Sequence, residues 1–336
     1  MAYSFVSPQS KELFEIQATT WHEDNENLSA IRRKVFVEEQ GVDAEEDWDG
    51  LDELESTLHF SVKKVHANIS DERQSDSSKP ALIATARVLS DGKIGRMCVD
   101  RQYRGHGIGK ALLQEILHTL LEQQTHKEVY LNAQISAKAF YQTVKFAPVG
   151  ETFQEAGIEH IRMELDLTDP AALPLIYEDR VIRLNTISQF QHHLLQLLKL
   201  GRHSLDILSY ELTPQVFTSA IAEEVSRLAR NHRQSQVRIL LQETKNLVGV
   251  THPLVELSQR LSTSVSIKKL NNGPIMGTEA YVVVDRNKLL YFNDEAAFEG
   301  FCRYSAAAEC EHELQNFEHL WQTYGENDSN LNRLYI

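Results

Sequence analysis

Cysteine is scarce in this chain of 336 residues. Cys98, Cys302 and Cys310 form neither a CxxC spacing nor an even set, which gives no disulfide framework; no metal is expected. Long apolar runs are also missing. No stretch of about 18 apolar residues occurs, so no membrane span or membrane partner is expected. Residues 1–12 lack the basic-then-apolar order of a secretory leader, and a cytoplasmic location is the default. Basic charge is in deficit: 34 Lys and Arg face 48 Asp and Glu, a net charge of −14. That argues against a nucleic-acid partner. What is present, 42% hydrophobic and 24% charged residues, is ordinary globular material. The length suggests about two domains.

The stretch VDRQYRGHGIGKALL, residues 99–113, organises the rest. Residues 94–99 read as a strand, and Ala111, Leu112, Ile116, Leu117 and Leu120 recur at helical spacing. Between them lies a glycine-punctuated basic turn. Gly105, Gly107 and Gly109 let backbone approach a ligand and adopt positive φ. Amide groups of His106, Ile108 and their neighbours then converge at the start of a helix, where an anion is favoured. Arg104 and Lys110 add positive charge, so the turn is suited to a diphosphate. The P-loop ending GK[ST] is missing. The dinucleotide spacing is missing too, as is the acidic residue expected after a second strand.

The stretch resembles motif A of the GNAT family of N-acetyltransferases, in which this loop cradles the pyrophosphate of acetyl-CoA. Further resemblance covers residues 10–167. Phe140-Tyr141 followed by Lys145-Phe146 is similar to the family's second motif, with Lys145 in place of the usual glycine. IRRKVFVEEQGV, DGLDE with His59, LNAQ and EAGIEHIRM resemble the ElaA-like branch, with Asn132 where that branch often has histidine. The resemblance implies acetyl-CoA as co-substrate, held by residues 104–110 and by the main chain of the strand at Met97, Cys98 and Val99. It also implies a mixed α/β sheet with helices on both faces.

The residues by themselves give a compatible order. A strand is expected around Phe14, Ile16 and Ala18, then a helix carrying Ile31, Val35 and Phe36 with Ser29 as its N-cap. Strands are expected at 58–65 and 81–89, joined by a long polar loop at 66–80. After the motif turn and its helix come a strand at 128–133, a helix at 137–144 and a strand at 159–167.

An amine that attacks a thioester must first lose a proton, because alkyl amines have pKa values near ~10.4. Glu38, Glu39 and Asp52 are the candidate acceptors of that proton; each reads equally well as a surface carboxylate. Ten carboxylates and no Lys or Arg lie within residues 38–55. They form either a solvated loop or a rim that attracts a cationic amine. An irregular strand at 97–99 could leave an N–H for the oxyanion. Tyr141 matches the family's general acid for the leaving thiolate; otherwise it is a packed core ring. By resemblance, His59, Asn132 and His160 join Asp52 near the acceptor pocket, although core histidines fit the pattern as well. His106 is expected to face solvent, and Cys98 to be a small buried strand residue. The acceptor is open between a small-molecule amine and a protein lysine.

Residues 1–168 are thus expected to form one domain, 169–179 a linker and 180–336 a second α/β domain. In the second, strands are expected at 181–184, 205–209, 237–241 and 265–269. Helices are expected at 186–200, 214–229 and 252–261. A hairpin at 280–292 turns at Arg286-Asn287, and a helix carries Leu314, Phe317, Leu320 and Trp321. TEAYVVVDRNKLLYFND followed by FEHLW resembles one phospholipase D-like repeat. Asp285 matches that pattern, but Thr278 and Ala280 stand at its histidine and lysine positions, which argues against phosphodiester hydrolysis. The domain then reads as a scaffold, a ligand-binding module or a homodimer surface. Two functions fit the whole: an N-acetyltransferase, or a non-enzymatic acetyl-CoA sensor.

Overall fold

The computed structural model describes residues 2–65, 81–178, 180–247, 250–271, 277–328 and 331; the loop expected at 66–80 lies outside them. The chain divides into two compact units, Met1–Ile176 and Tyr177–Ile336.

In the first unit, β1 (Ala2–Val6), β2 (Leu13–Thr19), β3 (Leu58–Lys64), β4 (Ala84–Val88) and β5 (Ile94–Val99) pair in sequence order as an antiparallel sheet. A second sheet holds β6 (Glu128–Gln134), β7 (Ala147–Glu155) and β8 (Ile158–Asp166) in the order β6-β8-β7. The helices are α1 (Trp21–Arg32), α2 (Ala44–Asp47), α3 (Ile108–Gln123), α4 (Lys138–Gln142) and α5 (Leu173–Ile176). α3 is the central helix. Its Ile108, Leu112, Leu113, Ile116, Leu117 and Leu120 are buried, against β3, β4 and β5 among others. Each such side chain contributes roughly 1.5–3 kcal/mol.

Two expectations for the first unit need correction, and one strand was not expected at all. The first helix starts at Trp21, and Ser29 lies inside it. Glu23 accepts the N–H of Thr20 at 3.1 Å, which caps the helix about two turns before its first buried apolar residue, Leu28. This helix runs on into a π-helical segment, Arg33–Glu39. β7 carries no alternation because it is exposed on both faces over nearly its whole length. Residues 170–176, expected within a linker, form a 3₁₀ turn and α5; Leu173 and Ile176 are buried, and α5 packs on α3.

The second unit is an eight-stranded mixed sheet. Its strands are β9 (Ile182–Leu184), β10 (Ser204–Ser209), β11 (Gln236–Leu241), β12 (Val265–Leu270), β13 (Ala280–Val284), β14 (Lys288–Asp294), β15 (Glu299–Arg303) and β16 (Gly325–Glu326). Their order is β16-β12-β11-β10-β13-β14-β15-β9, with β10, β11 and β12 parallel. Its helices are α6 (Ile187–Leu200), α7 (Ser219–Asn231), α8 (Pro253–Arg260) and α9 (Ala307–Thr323). Phe317, Leu320 and Trp321 of α9 pack with Leu208, Leu240, Tyr281 and Val283 of the sheet. The helix expected from Pro214 begins at Ser219. The β13–β14 turn is centred on Asp285 and Arg286, both at positive φ (49° and 60°), one residue before the expected pair.

Candidate active site

β5 is paired with β4 along one edge. Along the other it meets β6 through a single parallel bridge, Lys93 to Tyr130, with the Tyr130 N–H 3.2 Å from the Gly92 oxygen. Beyond that bridge no ladder joins the two strands among the described residues. The gap opens into a cavity of about 1140 Å³, slightly above the ~300–1,000 Å³ of ordinary small-molecule sites. The β4–β5 register slips between Thr85 and Arg87, and Arg96 sits at φ +50°. This bulge is the strand irregularity expected nearby, placed one residue earlier. The free edge of β5 brings Met97, Cys98 and Val99 to the cavity wall. Burial pushes the Cys98 thiol up to about 12, so it is no nucleophile at neutral pH.

The motif turn stands at the end of this edge. Gly105 and Gly107 have φ of +81° and +82°, and α3 begins at Ile108 with no side chain capping it. The Ala111 N–H is the first to find a helical partner, Gly107 O at 3.0 Å. The uncapped start of α3 thus borders the cavity, and a helix N-terminus is a position that favours an anion. Arg104 is fastened by Nε to the Val99 oxygen (3.0 Å) and by its two other nitrogens to Glu39 (2.6 and 2.9 Å). Arg104, Gly105, Gly107, Ile108, Gly109 and Lys110 all line the cavity. His106 does not. Its ring lies edge-on to Tyr103 at 6.5 Å, half-buried rather than facing solvent.

Tyr141 lines the same cavity from α4, its hydroxyl 3.8 Å from the Met97 sulfur. Phe140 and Phe146 meet its ring edge-on, and burial pushes the phenol up to about 12.

The acidic segment is in part a solvated stretch, with Glu38, Asp43, Glu53 and Glu55 exposed, and in part an ion-pair cluster around two buried carboxylates, Asp47 and Asp52. Arg32 binds Asp47 (3.0 Å) and Asp52 (2.8 Å), and its guanidinium lies 4.8 Å from the Trp48 ring. Arg87 binds Asp52 (2.8 Å) and Asp49; Arg96 binds Asp47 (3.0 Å) and Asp49 (3.2 Å). Asp49 is partly buried, which works against ionisation, yet its bonds to Arg87 hold it well below the usual carboxylate range. Asp52 is thus an internal counter-ion. His59 donates Nε2–H to the Asp52 carbonyl at 3.0 Å, and burial lowers its pKa. Neither lines the cavity. Glu38 and Glu39 do not line it either, and the hydrogen bonds from Arg104 lower the Glu39 carboxyl. A carboxylate held this way is a poor base.

Asn132 and His160 do line the cavity, and Asn132 Nδ2 donates to Glu155 at 2.8 Å. Gln134 donates to Gln40 at 3.0 Å. Glu155, Gln40, Gln134 and Gln9 are cavity residues that the sequence did not single out. Glu155 and Gln134 sit within the quoted segments EAGIEHIRM and LNAQ, the one signal that could have found them. Among the described residues no group of three metal-ligating side chains occurs, and no helix is long and apolar enough to cross a membrane.

Residues 74–167 match the acetyltransferase (GNAT) domain family, and residues 186–334 match a domain of unknown function, DUF7931. The match over the second half therefore lends no support to the phospholipase D-like resemblance. Protein ElaA of Escherichia coli is 34% identical over 142 residues, 40% of this chain and 83% of its own. The N-acetyltransferase YjcF of Bacillus subtilis is 32% identical over 138 residues, 40% of this chain and 88% of its own. The crystal structure of E. coli ElaA aligns with 45% of this chain and 99% of its own at 30% identity, with a TM-score of 0.37. Through its first unit the chain belongs to the GNAT acetyltransferase family, with ElaA among its relatives.

Proposed function

We propose that the first unit transfers an acetyl group from acetyl-CoA to a primary amine by direct attack, the amine being a small molecule or a protein lysine. One observation carries the reading: the uncapped start of α3, the free edge of β5 and the Tyr141 hydroxyl all border one cavity. Amides of 108–110 would hold the diphosphate, and the β5 main chain at 97–99 the pantetheine arm. An N–H on the bulged strand would face the oxyanion. Tyr141 lies beside Met97, where the thiolate would leave. Its phenol stands roughly three units above an ordinary thiol, so full proton transfer would be uphill by about 4–5 kcal/mol. Tyr141 therefore acts by donating a hydrogen bond to the departing sulfur, and the amine nitrogen supplies the proton.

The second unit is proposed to be a non-hydrolytic module. Asp285 accepts the N–H groups of Arg202, His203 and Ser204 at 2.8–3.0 Å, a role in holding the β10 entry. The reading is tested by thiol release from acetyl-CoA across a panel of amines. Release that depends on the amine supports it; binding without release under every acceptor supports a sensor instead.

A further inference from the structure

The sheet β6-β8-β7 gives the cavity a polar wall that the coenzyme does not need. On β6, Asn132 and Gln134 alternate with buried Leu131 and Ala133, and the register sets His160 opposite Gln134. His160 Nδ1 lies 2.8 Å from the Ile158 carbonyl oxygen. A carbonyl only accepts, so Nδ1 carries the proton and the neutral ring keeps its lone pair on Nε2. Phe153 stacks on the ring at 6.2 Å and 27°, which fixes its plane.

Glu155 ends β7 just before a turn whose Ala156 and Gly157 both have positive φ, 51° and 71°. With Oε2 engaged by Asn132, Oε1 remains able to accept from a ligand. Arg162, opposite Asn132 in the register, is committed to Glu164 at 2.6 Å and to the face of Tyr130 at 3.8 Å. Its guanidinium is thus spent on Glu164 and Tyr130. Phe36, Val42 and Leu51 add apolar surface to the same cavity.

We propose that Glu155 docks the ammonium of the acceptor and that His160 Nε2 takes its proton. The acceptor is then a primary amine on an apolar body, with no carboxylate beside the nitrogen. This rests on the transferase reading above. The ammonium gives one proton to Nε2, and the freed lone pair attacks the thioester carbonyl carbon. The C–S bond breaks, and the second proton leaves the nitrogen for the coenzyme thiolate. His160 then returns its proton to solvent, so the products are the acetamide, free coenzyme A and one proton. The other charged or titratable groups that share the cavity with His160 are Glu155 from β7, Tyr141 from α4, Arg96 and Cys98 from β5, Arg87 from β4, Glu45, Glu46 and Asp47 from α2, and Asp49, Lys93, Tyr103, Arg104 and Lys110; Glu159 and Arg162 lie on its own strand.

The test uses the full chain, acetyl-CoA, and the pair isoamylamine and leucine, which differ by one carboxylate. Isoamylamine is expected to exceed leucine in kcat/KM by on the order of 10-fold or more, and Glu155→Gln to bring the two together through KM. His160→Gln is expected to lower kcat by about 10²-fold and to erase the acidic limb of the pH profile. Calorimetric affinity for acetyl-CoA stays unchanged in both variants. A wild-type profile in His160→Gln overturns the base; a kept preference in Glu155→Gln overturns the anchor. Equal use of leucine, or no thiol release with isoamylamine, overturns the acceptor class even where acetyl-CoA binds. Loss of acetyl-CoA binding by the unmodified protein is a different failure: it removes the transferase reading, and this proposal with it.

Discussion

Gly107 is the single position on which the proposed coenzyme loop turns. Its φ of +82° is costly for any residue with a Cβ, and it stands directly before the amides proposed to hold the diphosphate. Gly107→Glu is therefore expected to abolish acetyl-CoA binding in calorimetry, because strain and a carboxylate are placed where the diphosphate belongs; unchanged affinity would remove the loop from the site. Tyr141→Phe, which removes the proposed hydrogen bond to the departing sulfur, is expected to lower turnover by about 10²-fold with affinity kept. The phenol, pushed up to about 12, stays protonated at all ordinary pH, so a Tyr141-dependent loss of rate should set in only as pH climbs toward that value. A loss already present near pH 9 would assign that limb to another group. The place of the glycines and Tyr141 on the cavity was legible because it is set locally, by a few consecutive residues. Asp52 and His59 were not, because the groups that claim them include Arg32 and Arg87, 20 and 35 residues from Asp52. Pairing over that separation leaves no mark in a short window.

At the scale of elements, the acidic segment is held in place by three arginines. Arg32 is almost wholly buried between Asp47 and Asp52. Arg32→Met would leave two buried carboxylates without that partner, at a cost of roughly 3–5 kcal/mol, readable as a lower urea midpoint. The same clip is acid-labile. The Asp49 carboxyl is depressed in the folded state, so its contribution is full above the ordinary carboxylate range near ~4 and fades as pH falls through the folded value. Arg87→Met should flatten that part of the stability–pH curve; a curve with unaltered slope would mean that Asp49 does not carry it. Elements with one buried face, such as β2 and α3, announced themselves by periodicity. β1 and β7 did not: both faces of β7 are exposed and β1 is nowhere fully buried, so no alternation marks them. β15 was missed for another reason. Gly300 comes so close to Tyr291 that an added Cβ would lie 1.9 Å from its oxygen, and this strand is recognised by its neighbour rather than by its own pattern.

For the whole molecule, the unit Met1–Ile176 contains the entire cavity, and its chain ends with α5 packed on α3. Residues 1–176 expressed alone are expected to bind acetyl-CoA as the full chain does, whereas 1–168, cut before α5, should melt earlier in a thermal scan. Equal melting would make α5 an ornament. The two-unit plan and the α/β character of both halves could be read from alternating strand and helix patterns. What the second half does could not, since Asp285 is turned inward to backbone amides. One feature of the first unit reaches further than the chemistry. Among the described residues β5 and β6 are bridged at Lys93 and Tyr130 alone, so they form a pair of jaws with a pivot. A slight rotation there is magnified with distance from the pivot. Any such rotation is therefore felt least beside Gly92 and most at Val99, the motif turn and Gln134, the strand ends away from the pivot.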